Sequence, residues 1–186
     1  MPILTSISAS GVSHQKYSKY KTGDTGPGGG KIIDIGFWTG TTQYLEVAPS
    51  TWNGAQDPVN LALSAQTTTY VGTTAIGSSL GTGYANTLAL VANNSTAGYA
   101  ITTCRAYTGG GKTDWFLPSY DELVLLYNNR TVTGIGPFVS SYYHSSSEWG
   151  PGIFGAYNAV YQMGTAVQAQ SNKSNPCGVR PIRYAS

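Results

Sequence analysis

The chain has 186 residues, a formal net charge of +2 and only 10% charged side chains, so it cannot be a coiled coil or a protein that grips nucleic acid through a basic field. With 40% hydrophobic and 12% aromatic residues it can bury a core rather than stay disordered. Its abundant residues are Gly (24), Ser, Thr and Tyr (14), the chemistry of surfaces that bind through shape, hydroxyls and rings.

Residues 1–22 differ from the rest. Ile3, Leu4 and Ile7 open the segment, and Lys16, Lys19 and Lys21 then alternate with Tyr17 and Tyr20. No hydrophobic period there is long enough to fold alone, so the segment reads as an attachment arm whose docking residues are Ile3, Leu4, Ile7, Tyr17 and Tyr20. It lacks the basic leader and apolar run of a secretion signal, and no stretch of the chain reaches the length of a membrane span.

The turn cluster Gly23–Gly30 is expected to lead into a strand over Lys31–Gly36. A second strand follows at Gln43–Val47, with Tyr44 and Glu46 on one face and Leu45 and Val47 on the other. Residues 49–82 read as irregular, anchored by Trp52, Leu61 and Leu63. Helices are expected over Tyr84–Asn93, with Leu88, Val91 and Ala92 as the apolar stripe, and over Thr96–Tyr107, with Ala100, Ile101 and Cys104 inward. A short strand at Trp115–Leu117 ends at Pro118. Ser119-Tyr120-Asp121-Glu122 is a capping box that starts a third helix, and capping accounts for both carboxylates without an acid/base role. The last fifty residues read as strands: Ser141–Trp149, a hairpin around Gly164 (Ala156–Met163 and Thr165–Gln170), and Gly178–Tyr184. Pro181 places that last strand at an edge or a bulge.

Two glycine–lysine runs, Gly26–Lys31 and Ala106–Thr113, imitate a phosphate loop. The first lacks the hydroxyl after lysine, and the second follows a helix and enters a strand, the reverse of the required context. A serine triad would need His14, in the arm, or His144, on a hydroxyl-rich strand where an exposed, non-catalytic histidine is the expectation; no Gly-x-Ser-x-Gly elbow is present. Cys104 and Cys177 lack metal-ligand spacing and are either a disulfide closing a long loop or two buried thiols. No cofactor and no metal are expected.

Several landmarks together resemble a known family: Gly23–Lys31, Tyr44–Pro49, Gly83–Thr87, Cys104–Tyr107, Trp115-Phe116-Leu117-Pro118-Ser119-x-x-Glu122-Leu123, Ser145–Glu148 and Val179–Arg183. Over residues 23–186 the chain resembles the bacterial and phage domains with the C-type lectin fold of the formylglycine-generating-enzyme type. The resemblance implies an α+β, lectin-like domain at 23–186 behind the arm at 1–22, with mixed or antiparallel sheets, two to three helices, and first and last strands paired. It also implies ligand contact between Ser141 and Asn175, where Tyr143, His144, Trp149, Tyr157, Asn158, Tyr161, Asn172 and Asn175 are the candidates. Along the Tyr157–Tyr161 strand, Tyr157, Ala159 and Tyr161 share one face and Asn158 and Val160 the other, so only one set is expected to be exposed. The oxidase cysteine pair of that fold and the Glu-Pro-Asn and Trp-Asn-Asp calcium motifs of animal lectins do not occur.

The expected function is that of a non-enzymatic virion surface protein (a capsid decoration, fibre or tail-tip protein). It would be made in the host cytoplasm, present in many copies or as a homo-oligomer, docked to other virion proteins through the arm, and turned toward a host-surface glycan or protein. It would bind no nucleic acid and insert in no membrane. A cement protein that only stabilises the particle, or an adhesin module at a bacterial cell surface, are the alternatives.

Overall fold

A computed structural model describes residues 19–38, 41–71, 75–150 and 157–186. The chain is mixed α+β. Among the described residues, two small antiparallel sheets and three α-helices hold it together: β1 (Lys31–Trp38), β2 (Thr41–Val47), α1 (Gly83–Asn93), α2 (Ala100–Ala106), α3 (Tyr120–Asn128), β3 (Tyr142–Glu148), β4 (Tyr157–Gln162), β5 (Val167–Asn172) and β6 (Ile182–Ala185). The strand orders are β1-β2-β6 and β3-β4-β5.

The first sheet joins the beginning of the domain to its end. The first and last strands share it as expected, but they do not pair: β2 lies between them, with Leu45 opposite both Ile33 and Tyr184. Ile182 also bridges to Phe116, which is all that remains of the strand expected at Trp115–Leu117. Pro181 precedes β6 rather than interrupting it, and β6 is an edge of its sheet. The alternation read in β2 is real, yet both of its faces are covered. Leu45 and Val47 join Ile33, Phe116, Leu123, Leu126, Tyr143 and Ile182 in the main core, while Tyr44 packs with Ile32 and Ala185 behind the sheet.

On that second face sits Glu46, fully buried. Its Oε1 accepts the N–H groups of Gly28 and Gly30 at 2.8 and 2.9 Å, and its Oε2 meets the Arg183 guanidinium at 2.8 Å. A Cβ on Gly30 would stand 2.2 Å from the Val47 carbonyl oxygen, so glycine is required where the loop crosses β2. The other glycine run forms a short 3-10 turn, Gly109–Gly111, and its Gly110, at φ +60°, packs so tightly on Gly28 that a Cβ would lie 2.5 Å from the Gly28 Cα. The two runs that imitate phosphate loops thus fill each other.

α1 spans the expected residues but turns a different face inward. Asn86, Thr87 and Leu90 are buried, whereas Leu88 is exposed and Val91 only half-buried. The Thr87 hydroxyl accepts the Leu117 N–H at 3.2 Å, so a polar anchor sets the helix rotation that the apolar pattern misread. α2 starts later than expected, after Tyr99, because Gly98 at φ +87° turns the chain there. Ala100, Ile101 and Cys104 face a second core with Leu63, Leu90, Leu117 and Val179, against which Trp52 and Leu61 lean. The capping box of α3 forms: the Glu122 N–H meets the Ser119 hydroxyl, and the Glu122 carboxylate returns to the Ser119 N–H at 2.7 Å.

Candidate functional site

β3 falls within the Ser141–Asn175 stretch where the resemblance implied ligand contact, and most of it lies inside the protein. From Tyr143 to Glu148 every residue is buried. The three successive serines serve the interior as small hydrogen-bonding groups. Ser145 Oγ donates to the Ala159 carbonyl at 2.7 Å, Ser146 Oγ to that of Pro118 at 3.1 Å, and Ser147 Oγ to that of Gly77 at 2.7 Å. Ser147 Oγ also accepts the Tyr120 N–H at 3.0 Å and so ties β3 to the first residue of α3. Satisfied in this way, a buried hydroxyl is cheap; unsatisfied, it would be costly.

Four of the candidate contact residues are buried, three of them linked directly to this interior. Tyr143 is fully buried and its hydroxyl donates to Asp57 Oδ2 at 2.7 Å; burial and that carboxylate push its phenol far above the ordinary range. His144, expected to be exposed, is fully buried. Its Nε2 lies 3.0 Å from the Leu61 carbonyl, an acceptor, so the proton sits on Nε2, while Nδ1 accepts from the Asn158 amide at 3.1 Å. Burial drives the His144 pKa down to about 4, which leaves the ring neutral. Asn158, also fully buried, spends its amide hydrogens on His144 and on the Ser145 and Ala159 carbonyls.

The two-face expectation for β4 fails for a related reason. Ala159 and Tyr161 are buried on one side and Asn158 and Val160 on the other, because the sheet is sandwiched. Tyr161 lies beneath α3, its ring 5.3 Å from that of Tyr127. Tyr157 and Asn172, cross-strand partners at the open end of the sheet, are half-buried; Asn175 is exposed and donates to Ser171 Oγ at 3.1 Å. Asn172 Oδ1 accepts the Ser174 N–H and hydroxyl, which shapes the turn after β5.

Trp149 is the large apolar exception, 43% exposed directly after β3. It borders a cleft of about 340 Å³ with Ile76, itself 42% exposed, Ser78, Tyr120, Asp121 and Gln168. The frame around this cleft is stiff. Backbone bonds run from the Glu148 N–H to Ala75 at 2.7 Å and from the Asp121 N–H to Ser78 at 2.9 Å. Glu148, the residue before Trp149, buries its carboxylate in an ion pair with Lys173 and also accepts the Val71 N–H. Lys173 in turn donates to the Thr69 carbonyl at 2.8 Å. The Glu148 charge is therefore paired, and among the described lining residues Asp121 is the other charged group. An indole, an aliphatic side chain, a carboxylate and an amide converge on one shallow hollow, a set that can stack on an apolar ligand face and read hydroxyls beside it.

Ile76, Tyr120, Asp121 and Gln168 were not among the sequence candidates. Asp121 was read as a capping group, and no periodicity could bring the Ile76 segment across to β3. The docking set lies mostly elsewhere: Ile3, Leu4, Ile7 and Tyr17 fall outside the described residues. Tyr20 packs edge-on against Tyr44 at 5.1 Å, and Lys19 Nζ donates to the Ser186 carbonyl at 2.8 Å. Cys104 and Cys177 are both buried free thiols rather than a disulfide, and burial raises the pKa of each. Among the described residues no group of three or more acidic, histidine or cysteine side chains could hold a metal ion, and no helix is long and apolar enough to cross a membrane.

Comparison with protein-family models and with curated proteins returns no match for this chain.

Proposed function

We propose that the chain is a non-enzymatic adhesion module of lectin-like fold, displayed on a virion and contacting a host-surface glycan or protein through the Trp149 cleft. The observation that carries this reading is the pairing of a 43%-exposed indole with a 42%-exposed Ile76 at a hollow tied by the backbone bonds of Glu148 to Ala75 and of Asp121 to Ser78. A preorganised aromatic anchor with a polar rim binds with little ordering cost. The disposition of the titratable groups favours binding over catalysis: Asp57, Glu46, Glu148, Lys173 and Arg180 are buried in ion pairs, and His144 is held neutral inside. The virion setting and the lectin-like fold rest on the resemblance of Trp115–Leu123 and Val179–Arg183 to the phage and bacterial domains.

The test is a glycan array and a host-cell adsorption assay with the purified chain and its Trp149→Ala variant. Loss of an interface anchor is expected to weaken binding by about 2 kcal/mol or more, roughly thirtyfold. Equal binding by a folded Trp149→Ala protein removes the cleft from the proposal. A wild-type chain that binds particles but neither cells nor glycans supports the cement reading instead.

A further inference from the structure

The walls of the Trp149 cleft hold more polar groups than they offer to a ligand. Ser147 Oγ is spent, donating to the Gly77 carbonyl at 2.7 Å and accepting the Tyr120 N–H at 3.0 Å. The Glu148 carboxylate is paired with Lys173, whose ammonium also donates to the Thr69 carbonyl at 2.8 Å. The start of α3 is spent as well, although a helix start ordinarily presents free N–H groups to an anion. There the N–H groups of Ser119, Tyr120, Asp121 and Glu122 go to the Glu122 carboxylate, Ser147 Oγ, the Ser78 carbonyl and Ser119 Oγ, at 2.7, 3.0, 2.9 and 3.4 Å. What stays open is the Trp149 indole, the Ile76 side chain, the Asp121 carboxylate and the Gln168 amide. The last two are exposed and have no side-chain hydrogen-bond partner among the described residues.

We propose that the ligand of this cleft is a pyranoside ring without negative charge, an inference that rests on the adhesion reading of the same site. The open groups set its chemistry. A carboxylate only accepts, so the ligand must donate to Asp121, and a sugar hydroxyl does; the Gln168 amide can serve a second hydroxyl as donor or acceptor. The indole takes the C–H face of the ring. A pyranoside carries that face and those hydroxyls on one rigid unit, whereas peptide side chains would each have to be ordered. The cleft, about 340 Å³, falls within the range of small-ligand sites, about 300 to 1,000 Å³. Charge excludes the acidic sugars. No charged residue occurs over 58–104, which holds Ile76 and Ser78, or over 149–172, which holds Trp149 and Gln168. Around the cleft Lys173 is committed to Glu148, and Glu122, behind Asp121, is buried and brings no positive charge. Arg130, past the far end of α3, lies over the Tyr127 ring at 3.8 Å and donates to the Tyr127 carbonyl. A carboxylate, sulfate or phosphate on the sugar therefore meets Asp121 with neither a free cation nor a free helix amide to receive it.

The experiment titrates the purified chain with matched pairs: the methyl glycosides of glucose, galactose and mannose, and the corresponding uronates, which differ only in a carboxylate for a hydroxymethyl group. Saturation-transfer NMR and calorimetry follow binding. At least one neutral glycoside is expected to bind saturably and to lose binding in Trp149→Ala. Its uronate is expected to bind at least about fivefold more weakly, the factor that about 1 kcal/mol of like-charge repulsion gives. That gap should shrink in about 1 M salt, which screens exposed charges. It should fall below about twofold in Asp121→Asn, which keeps an acceptor and removes the charge. A uronate bound as well as its neutral partner, a gap unchanged in Asp121→Asn, or no saturable binding of any neutral glycoside would each overturn the inference. Host cells tell its failure from failure of the adhesion reading. Trp149-dependent adsorption that survives periodate oxidation of surface glycans overturns the sugar and leaves adhesion standing, with a protein as the ligand.

Discussion

The two sheets solve opposite problems with similar residues. In β1-β2-β6 the described residues of β2 are covered on both faces, and Glu46 and Arg183 are drawn inward as an ion pair. In β3-β4-β5 the strands β3 and β4 are equally buried, but β5 is open: Val167, Gln168 and Gln170 are exposed, and among the described residues β5 pairs only with β4. Charge and polarity alone therefore do not mark a binding surface in this protein. The first sheet uses polar groups to close the domain on itself, and the second sheet's rim leaves an aromatic and an amide for something else.

The sharpest way to break this comparison is to attack the buried ion pair of the closing region. Arg180 Nη2 and Nε hold both oxygens of Asp57, and Arg180 further donates to the carbonyls of Ala48, Ile135 and Pro137. Asp57 also receives the Tyr143 hydroxyl and the Trp52 indole N–H. Asp57→Ala leaves a buried guanidinium without its counter-charge, at an expected cost of about 3–5 kcal/mol. Urea unfolding measures it; a loss under about 1 kcal/mol would show that the network is incidental.

His144 gives the next effect, and it depends on pH. Its folded pKa is lowered to about 4 from an ordinary 6.5 by burial. Between those values the unfolded chain holds a proton that the folded chain refuses, so acid favours unfolding. The contribution is intact above pH 6.5 and is lost as pH falls through the window toward 4, amounting to about 3 kcal/mol by the linkage relation. Stability curves of the wild type and of His144→Gln, measured from pH 7 to pH 4, should diverge in slope inside that window. Parallel curves would mean that the imidazole is not buried as described.

These two residues also mark how far the sequence could be read. Elements with a local cause were legible: the Ser119–Glu122 box starts α3, and the strand stretches around Gly164 form the β4–β5 hairpin. The burial of Ser145, Ser146, Ser147 and His144 was not. A run of hydroxyls looks like surface until the carbonyls that receive them, on Ala159, Pro118 and Gly77, come from distant parts of the chain. The candidate site suffered the same way. Trp149 stood among the candidates, but Ile76 and Gln168 reach it only through tertiary packing, which no spacing in the chain encodes.

A smaller loss is expected at the cap of α3. Ser119 is fully buried, with its Oγ donating to the Ser79 carbonyl at 2.9 Å and offered to the Glu122 N–H at 3.4 Å. Ser119→Ala should cost about 1 kcal/mol, toward 2 because the Ser79 bond goes as well. The same urea titration reads it, and a neutral result would leave the Glu122 carboxylate as the whole of the cap.

The smallest effect on stability belongs to Trp149, and it separates the two regions most directly. The side chain is 43% exposed and packs at a rim rather than in either core cluster. Among the described residues, replacing it with alanine strands no buried polar group, since the Glu148 carboxylate keeps Lys173 and Val71 as partners. A rim side chain more than half covered loses less on truncation than a core aromatic, here about 1 kcal/mol or less. Trp149→Ala should therefore lower the urea midpoint only slightly while failing in adsorption. A drop of about 2 kcal/mol or more would place the indole among the packing residues, and the open rim of the second sheet would then resemble the closed first sheet after all.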